Sequence, residues 1–407
     1  MSEPGIVVRL RRGRSKPFWL GHPWVFTGAV EKVTGEVGDF GGACVVEDER
    51  GQVLGSGYYN PKAQIAVRLL EHRRSSERPF EPRPFLDVVR ERLGQAIDRR
   101  RVLGLPSADT TIYRVVNAEG DGLSGLVIDA IGEVAVVHAN SRAAYEAREA
   151  IAGIVAERLG VADVVVAIGE TASRLESVPV GTEVLRGSLS GPVRALERGL
   201  VLEVDPLGGQ KTGTYADQRE NRAAFAGFCQ GEEVADLYAY TGGFGLHAAR
   251  AGASKVISVD SSGPACDTAR ANAAHNGLAD RIEVVQADVM NWLKEARAEG
   301  RTWGRIVCDP PKFAQGRSHV GDAIAKYARL NTLAMAALAP GGLLLTCSCS
   351  QHVSEPEFLR MLTDAGHRLR RTVHVHAVWG QAPDHPFSVV APEGRYLKAA
   401  LVSLTDD

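Results

Sequence analysis

The chain has 407 residues and a net charge of −2, so its length predicts two or three domains and its charge argues against a protein that coats nucleic acid through bulk charge. No apolar stretch reaches the ~20 residues of a membrane span, and no apolar signal-peptide core follows the charged N-terminus. Six scattered cysteines favour free thiols in a reducing compartment, and we therefore expect a cytoplasmic protein.

The N-terminal stretch, 1–75, combines short strand-like runs with a basic and aromatic cluster. Glycine, proline, aspartate and asparagine separate the runs, and this spacing predicts a small β-barrel domain. Basic side chains interleaved with aromatic ones suit phosphate contact and base stacking. The cluster therefore predicts a nucleic-acid contact through Arg12, Arg14, Lys16 and Trp24. Trp24 is equally compatible with the core of a strand.

The next stretch, 76–195, predicts a second domain that mixes helices and strands. Apolar residues recur at helical spacing from about 80 to 105 and again over roughly 143–159. Between these helices, Asp-Gly and Ile-Gly turns punctuate a hairpin-rich segment. We expect a central α+β domain here.

The C-terminal stretch, 196–407, alternates apolar strands with helix-length segments. Strands are predicted at EVADLYA, KVISVD, RIEVVQAD, RIVCDPP and GGLLLTCSC. Such alternation predicts an α/β fold with a doubly wound, Rossmann-like parallel sheet. Ligands of such sheets bind beyond the carboxyl ends of the strands, so the residues at those ends carry the functional hypothesis.

The first three strand ends indicate a nucleoside ligand. Asp236 lies at the end of the first strand, before a loop that opens a helix with free amides; the loop residues considered are Tyr240, Thr241, Gly242, Gly243 and Phe244. Asp260 ends the second strand, where a carboxylate can accept hydrogen bonds from both ribose hydroxyls. Asp288 follows the third strand and could bind an adenine amino group. Since the GxGxxG pyrophosphate fingerprint is absent, S-adenosylmethionine fits better than NAD.

The last two strand ends carry a rigid elbow and a pair of cysteines. The two prolines of Asp-Pro-Pro-Lys-Phe cannot continue a strand ladder, so they hold Asp309 and Lys312 toward the crevice, with Phe313 able to stack on a planar base. Cys347 and Cys349 share a face of the strand, so periodicity does not choose between them. Cys349 lies farther toward the open end, which favours it as the reactive thiol and Cys347 as a core thiol.

These motifs resemble the family of RNA methyltransferases that includes the bacterial 23S rRNA (cytosine-C5) methyltransferases. The matching segments run through nearly the whole chain: RGR…HPWVF, YRVVNAEGDGLSGLVID, QKTGTYADQRENR, AYTGGFG, DPPKF, LLLTCSCSQ and DHPFSVVAPEGRYLK. The resemblance implies a PUA-like RNA-binding domain, a central α+β domain and a C-terminal class I methyltransferase that uses S-adenosyl-L-methionine. One departure is that the usual glycine loop of methyltransferases has glycine where this chain has Tyr238 and Tyr240.

The resemblance also implies cofactor contacts from outside the strand ends. In that family the motif found here at 210–222 packs over the cofactor, which makes Tyr215, Gln218 and Arg219 expected cofactor-binding residues. Asp309 joins this set from the Asp-Pro-Pro elbow.

A nucleophilic cysteine between two serines is a further feature of the family, and it matches Cys349. A thiolate that adds to C6 of cytosine makes C5 a nucleophile toward the methyl group. Asp309 would then bind the N3/N4 edge of the base, and Lys312 would either favour the Cys349 thiolate or hold a phosphate. The expected partner is 23S ribosomal RNA or a large-subunit assembly particle.

Two rival functions remain at this point. A guanine N-methyltransferase of rRNA would use the same elbow without a nucleophile, and an RNA-binding assembly factor would carry an inactive methyltransferase domain. His374 and His376 form a His-x-His pair, but no further ligand is in view, so no metal site is predicted. A homodimer is compatible with the sequence, although no residue pattern indicates one.

Overall fold

The structure, a computed structural model, describes residues 5–73, 80–208, 213–314 and 316–406, so residues 210–212 of the QKTG motif lie outside it. The described residues form two compact units. The first unit comprises the segments Met1–Ala195, Val204–Gly213 and Pro383–Gly394. The second comprises Leu196–Glu203, Thr214–Ala382 and Arg395–Asp407. The predicted boundaries at residues 75 and 195 stay predictions.

The first unit begins with a six-stranded sheet. Its elements are β1 (Ile6–Leu10), α1 (Lys16–Trp19), β2 (Trp24–Phe26), β3 (Val30–Gly35), β4 (Gly42–Glu47), β5 (Val53–Tyr59) and β6 (Ile65–His72). The strands lie in the order β2-β6-β5-β4-β1-β3. In β1, Ile6, Val8 and Leu10 are buried while Arg9 between them is exposed, which is the period-two pattern that gives a sheet one apolar face.

A five-stranded sheet with helices completes the first unit. Its elements are α2 (Phe85–Val102), β7 (Ile112–Asn117), β8 (Leu126–Ile131), β9 (Val134–Ala139), α3 (Arg142–Glu146), α4 (Arg148–Leu159), β10 (Asp163–Ile168), α5 (Glu170–Glu176) and β11 (Gly181–Arg186). The order is β11-β10-β9-β8-β7. The single helix predicted over 143–159 is wrong, because the backbone of Ala147 (φ −92°, ψ 6°) leaves the helical region and separates α3 from α4.

Two further strands, β12 (Val193–Glu197) and β13 (Leu200–Val204), pair with each other before the large sheet begins. The second unit then contains α6 (Arg219–Ala226), β14 (Glu233–Leu237), α7 (Gly243–Arg250), β15 (Lys255–Asp260), α8 (Gly263–His275), β16 (Ile282–Gln286), α9 (Val289–Ala298), β17 (Trp303–Cys308), α10 (Val320–Ala336), β18 (Leu338–Ser348), α11 (Glu355–His367), β19 (Arg371–Trp379) and β20 (Lys398–Asp406). Short 3₁₀ turns lie at Thr27–Ala29, Ala118–Asp121, Ala216–Gln218, Arg317–His319 and Pro392–Gly394.

The seven-stranded sheet confirms the predicted doubly wound fold. Its order is β16-β15-β14-β17-β18-β20-β19, with β14 to β18 parallel and β20 antiparallel to both of its neighbours. Neighbouring strand residues pack on opposite faces: Ile306 joins a core with Trp292, whereas Val307 joins another with Phe225. Strand order reverses between β14 and β17, so a ligand crevice is expected at the carboxyl ends of these strands.

None of the helices in the described part of the chain is long and apolar enough to span a membrane.

Candidate active site

The loop after β14 has an uncommon backbone conformation. Tyr238 and Tyr240 have φ values of 61° and 51°, and Gly242 has 84°, so all three lie in the left-handed region. A non-glycine residue there costs roughly 1–2 kcal/mol, which the surrounding structure must offset. The two tyrosines therefore adopt the backbone that glycine adopts most readily. Helix α7 begins at Gly243, five loop residues after β14 ends at Leu237.

Asp260 is oriented by two backbone amides. Its Oδ2 accepts a hydrogen bond from the Tyr240 N–H and its Oδ1 accepts one from the Ser262 N–H, both at 2.9 Å. The half-buried carboxylate thus links the end of β15 to the loop after β14. A second hydrogen bond holds the same loop, because the Thr241 carbonyl accepts from Asn272 Nδ2 at 3.0 Å. Each carboxylate oxygen can accept more than one hydrogen bond, so Asp260 fits a ribose diol.

Asp236 and Phe244 have buried side chains. The Asp236 carboxylate is 1% exposed and accepts from the Gly245 N–H at 2.9 Å and the Ser258 hydroxyl at 3.5 Å. Burial raises the pKa of Asp236 to about 7, although the Gly245 N–H opposes that rise. Phe244 packs in the core, 6.3 Å from the Phe225 ring centroid. Both side chains hold the loop from inside the protein, and their place in cofactor binding stays a prediction.

Gly243 lies against a buried ionic cluster that sequence reasoning missed. Arg222 Nη1 donates to both carboxylate oxygens of Glu197 at 2.9 Å, and Nη2 donates to the Thr214 carbonyl at 2.8 Å. His247 on α7 lies 3.1 Å from the same carboxylate. Burial alone would raise the pKa of Glu197, but Arg222 and His247 outweigh burial and lower it to about 2. Glu197 is far from this site in sequence, so no local pattern reveals the cluster.

Asp288 caps a helix. Its Oδ1 accepts from the Asn291 N–H at 2.9 Å, which makes Asp288 the N-cap of α9. The side chain is exposed, and one of its oxygens is already committed to the helix start. Because a carboxylate oxygen can accept more than one hydrogen bond, Asp288 can still accept one from an adenine amino group, as predicted.

Gln218 connects the segment before β14 to the elbow after β17. Its Nε2 donates to Asp309 Oδ2 at 2.9 Å, and its Oε1 accepts from Asn221 Nδ2 at 2.6 Å. Asn221 in turn donates to the Gly380 carbonyl at 3.1 Å. This relay fixes the orientation of the Asp309 carboxylate and brings together two residues that were predicted separately.

Tyr215 lies against the loop that follows β14. Its ring stands edge-on to that of Tyr240, with centroids 5.4 Å apart, and its backbone is left-handed (φ 49°). Burial raises the pKa of Tyr215, and the charges of Tyr240, Cys349 and Asp309 raise it further. Tyr215 is therefore within electrostatic range of Cys349 and Asp309, two of the three predicted catalytic residues. Arg219 is 3% exposed and its Nε donates to Glu220 at 3.1 Å, so its side chain points into the protein.

The elbow residues after Asp309 have different surroundings. Lys312 is exposed. The half-buried Phe313 ring lies 4.7 Å from the Tyr327 ring centroid, and Lys326 Nζ lies 4.1 Å from the Phe313 centroid. Phe313 is thus packed by neighbours of its own chain, and its stacking on a base stays a prediction.

The structure describes all six cysteines of the chain, and Cys349 differs from the other five in its exposure to solvent. It is partly exposed, whereas the other five are buried. Cys347 is 0% exposed, and burial raises its pKa well above the ordinary value. Ser348 and Ser350, on either side of Cys349, are 0% exposed, and the Tyr327 hydroxyl lies 3.0 Å from Ser350 Oγ. The chain therefore presents Cys349 alone at the carboxyl end of β18.

Lys398 is a further residue that sequence reasoning missed. It is 6% exposed and donates to the carbonyls of Ser350, Val353 and Tyr396 at 2.7, 2.8 and 2.9 Å. A signal was present in the sequence, because a lysine opens the otherwise apolar strand KAALVSL.

The predicted RNA-contact residues of the first unit fall into two groups. Three basic side chains are exposed: Arg12, Arg14 and Lys16. Trp24 is half-buried, and its Nε1 donates to Glu119 at 2.9 Å and Ser124 at 3.1 Å. The polar edge of the indole is therefore used within the protein, which favours the structural interpretation of Trp24.

His374 and His376 each meet a hydroxyl of β20, at 2.9 Å from Thr405 and 2.8 Å from Ser403. Within the described ranges, no group of three or more His, Cys, Asp or Glu side chains could hold a metal ion.

Comparison with known proteins assigns both predicted domain types. Residues 8–72 match the family model of a PUA-like domain, and residues 179–401 match that of an S-adenosylmethionine-dependent methyltransferase. Two similar relatives, from Photobacterium profundum and Shewanella denitrificans, are each named Ribosomal RNA large subunit methyltransferase I. They are 36% and 37% identical to this chain, covering 96% and 97% of it and 97% and 98% of their own lengths.

Two solved structures share the fold. One is a methyltransferase in complex with SAH, with a TM-score of 0.82 at 20% identity over 97% of this chain and 98% of that one. The other is a SAM-dependent methyltransferase from Streptococcus mutans, with a TM-score of 0.81 at 20% identity over 97% and 99%. The predicted combination of a PUA-like domain with a class I methyltransferase fold is thereby confirmed.

Proposed function

Since the chain belongs to the family of S-adenosylmethionine-dependent methyltransferases that includes the ribosomal RNA large subunit methyltransferases I, we propose that it methylates C5 of a cytosine in 23S ribosomal RNA. One observation carries this proposal: of six cysteines, Cys349 alone is partly exposed, and it follows β18 beside the elbow that holds Asp309. Methylation of a nitrogen needs no nucleophilic residue, whereas methylation of C5 does.

The residues at the strand ends fit S-adenosylmethionine, which supplies an electrophilic methyl group on a sulfonium sulfur. Asp260 would bind the ribose hydroxyls with a carboxylate that two amides already orient. Tyr215 and Tyr240 would pack beside the ligand, and the start of α7 at Gly243 would offer backbone amides. Asp236 and Phe244 support this loop from the core.

Cys349 would activate the base. Its thiolate adds to C6, and the electron pair of the C5–C6 double bond moves toward C5 and the conjugated ring. C5 then bonds to the methyl carbon, whose bond to sulfur breaks with the electron pair leaving on sulfur. Loss of the C5 proton to a base re-forms the double bond and expels the thiolate, which restores the enzyme.

Asp309 would hold the N3/N4 edge of the cytosine during the addition. Thiolate addition places negative charge on the ring, and a donor at N3 stabilises that charge. Such a donor requires a protonated Asp309. The Gln218 N–H at Oδ2 fixes the carboxyl plane, so the edge that meets the base is defined before RNA binds.

RNA contact outside the crevice would come mainly from the first unit. Arg12, Arg14 and Lys16 are exposed cations suited to phosphates. Lys312 is exposed on the elbow after β17 and would meet a phosphate beside the target base. We expect the substrate to be 23S rRNA or a large-subunit assembly particle, and the enzyme to act in the cytoplasm, where such particles form.

Methyl transfer followed by nucleoside analysis tests the proposed function. Protein-free 23S rRNA transcript and unmodified large-subunit particles are incubated with methyl-labelled S-adenosylmethionine and wild-type or Cys349→Ala enzyme. We expect label in 5-methylcytidine with the wild type and none with the variant. Label in a methylguanosine would contradict the proposal in favour of guanine N-methylation. No label in either substrate, together with no S-adenosylmethionine binding by calorimetry, would instead favour an RNA-binding assembly factor.

A further inference from the structure

Lys398 lies next to the turn that carries Cys349. It is the first residue of β20 and stands opposite Ser348 in the antiparallel ladder with β18. The chain leaves β18 after Ser348, so Cys349 is the first residue beyond the ladder. At 6% exposure, Lys398 places a cation inside the protein at this point.

All three protons of the Lys398 ammonium have acceptors. Nζ donates to the carbonyls of Ser350 at 2.7 Å, Val353 at 2.8 Å and Tyr396 at 2.9 Å. Two of these carbonyls belong to the turn after Cys349, which also closes on itself through the Val353 N–H and the Ser350 carbonyl at 3.1 Å. A neutral amine has only two N–H groups, so the charged form is the one that satisfies all three carbonyls.

The charge balance around Lys398 links it to Cys349. Burial lowers the pKa of Lys398 to about 8, and the negative charge of a Cys349 thiolate is the strongest influence that opposes this fall. The value remains above neutral pH, so the ammonium persists at pH 7. Because interaction between two charges is mutual, a cation that is favoured by the thiolate must favour the thiolate in turn.

We propose that Lys398 is a positioning residue for the nucleophile: its buried ammonium fixes the turn after Cys349 and stabilises the Cys349 thiolate. This inference rests on the proposed function, in which Cys349 attacks the base. Lys398 is not the base that removes the C5 proton, because its three protons are all donated to backbone carbonyls.

Other charged groups face this pair from neighbouring elements. Lys312 after β17 and Arg395 before β20 are cations that act against the Lys398 ammonium, and Glu355 at the start of α11 favours it. Tyr215, Tyr327 and Cys347 interact electrostatically with Cys349, Asp309 acts on Tyr215 and Cys347, and all four carry negative charge when they ionise. Lys398 differs from the other two cations in being buried, so solvent screens its charge least.

The rate of Cys349 alkylation by iodoacetamide, followed against pH by peptide mass spectrometry, tests the proposal without RNA or cofactor. Lys398→Gln and Lys398→Met remove the charge. We expect both to raise the pH midpoint by about one unit and to slow alkylation at pH 7 about three- to tenfold, since the thiolate is the reactive species and a more basic thiolate is also more nucleophilic.

Arg395→Met is the matched control. Its side chain is 59% exposed and paired with Glu355 at 2.7 Å, so its loss should leave the midpoint unchanged. A folded Lys398→Gln or Lys398→Met protein with the wild-type midpoint would overturn the proposal. If neither variant folds by circular dichroism, the wild type decides: a midpoint below the ordinary cysteine value of about 8.5 supports the proposal, and one at or above it contradicts it.

The proposed function and this inference fail in different ways. Cys349→Ala enzyme that still methylates RNA would end the role of Cys349 as nucleophile, while the alkylation midpoints would still report on Lys398. An unchanged midpoint in the Lys398 variants, with Cys349→Ala inactive, would retain the nucleophile and remove only the role of Lys398.

Discussion

Gln218 donates a hydrogen bond to Asp309 across 2.9 Å, joining the segment before α6 to the elbow after β17. Asn221 holds the other end of the Gln218 amide, so the amide cannot rotate without losing a second hydrogen bond. The carboxyl group proposed to meet the cytosine edge is therefore placed by a residue 91 positions earlier in the chain.

Gln218→Ala should lower kcat/KM for RNA methylation about twofold to tenfold, because a hydrogen bond to a neutral carboxyl group contributes roughly 0.5–1.5 kcal/mol. Gln218→Glu should lower it at least as far, since it places a second carboxyl group beside Asp309. Steady-state methyl transfer measures both, with Gln95→Ala on the exposed face of α2 as the control. A Gln218→Glu enzyme with wild-type rates would show that the N–H donor is not needed.

Substitution of Cys347, in β18, and of Cys349, which follows the strand, should affect different properties: the first stability and the second methylation. Cys349→Ala is expected to abolish methylation, with a loss of at least about a thousandfold, and to change the free energy of unfolding by less than about 0.5 kcal/mol. Cys347→Ala removes a fully buried thiol and should cost about 1 kcal/mol of stability while leaving methylation largely intact. Urea unfolding and methyl-transfer assays on both proteins check this, and the reverse pattern would identify Cys347 as the nucleophile.

Gly243→Ala should weaken binding of S-adenosylmethionine and lower stability. A Cβ at this position would lie 2.6 Å from Arg222 Nε, and Arg222 cannot withdraw because Glu197 holds it. Isothermal calorimetry and thermal melts measure the two effects. Gly94→Ala in α2 is the matched control: its Cβ would meet nothing within 4 Å, and alanine in a helix interior should raise stability by about 0.5–1 kcal/mol. Equal behaviour of the two variants would contradict the crowding at Gly243.

The buried Asp236 predicts a pH-dependent stability difference. Its pKa is raised to about 7 in the folded protein from an ordinary value of 3.8, so the folded state holds the proton more tightly. This contribution favours folding at low pH and is lost as pH rises from about 4 to 7. Asp236→Asn removes the ionisation, so the variant should gain stability relative to wild type by up to about 4 kcal/mol at pH 8 and gain little at pH 4.

Chemical denaturation of wild type and Asp236→Asn at both pH values measures that difference directly. The Asn side-chain oxygen can still accept from the Gly245 N–H, which keeps the loop contact. A variant that is less stable than wild type at pH 8 would mean that the ionised carboxylate is favoured where it lies.

The sequence predicted the sites that depend on local pattern. Apolar runs placed the strand ends, and so placed Asp260 and Cys349 at the edge of the sheet where the structure has them. The same reasoning could not distinguish a carboxylate that faces a ligand from one that accepts hydrogen bonds from backbone amides. Asp288 caps α9 because the amide three residues later turns back toward it, and Asp236 is drawn inward by the amide of Gly245. Both contacts depend on backbone direction after the strand.

Contacts between distant parts of the chain could not be predicted from the sequence either. Lys398 meets the turn after Cys349 only because β20 inserts antiparallel beside β18, which places position 398 opposite 348. The cluster of Glu197 with Arg222 and His247 likewise joins three separate elements. No spacing within the chain encodes either contact, so both required the structure.

Trapping of the covalent adduct tests the central claim most directly. In RNA that contains 5-fluorocytidine, methylated C5 carries fluorine in place of the proton that must leave, so a thiolate bound at C6 stays attached. Wild-type enzyme incubated with such 23S rRNA and S-adenosylmethionine, then digested with nuclease and protease, should yield a nucleotide adduct on the peptide at Cys349, and Cys349→Ala should yield none. An active enzyme that forms no adduct, or an adduct carried by Cys347, would contradict the account.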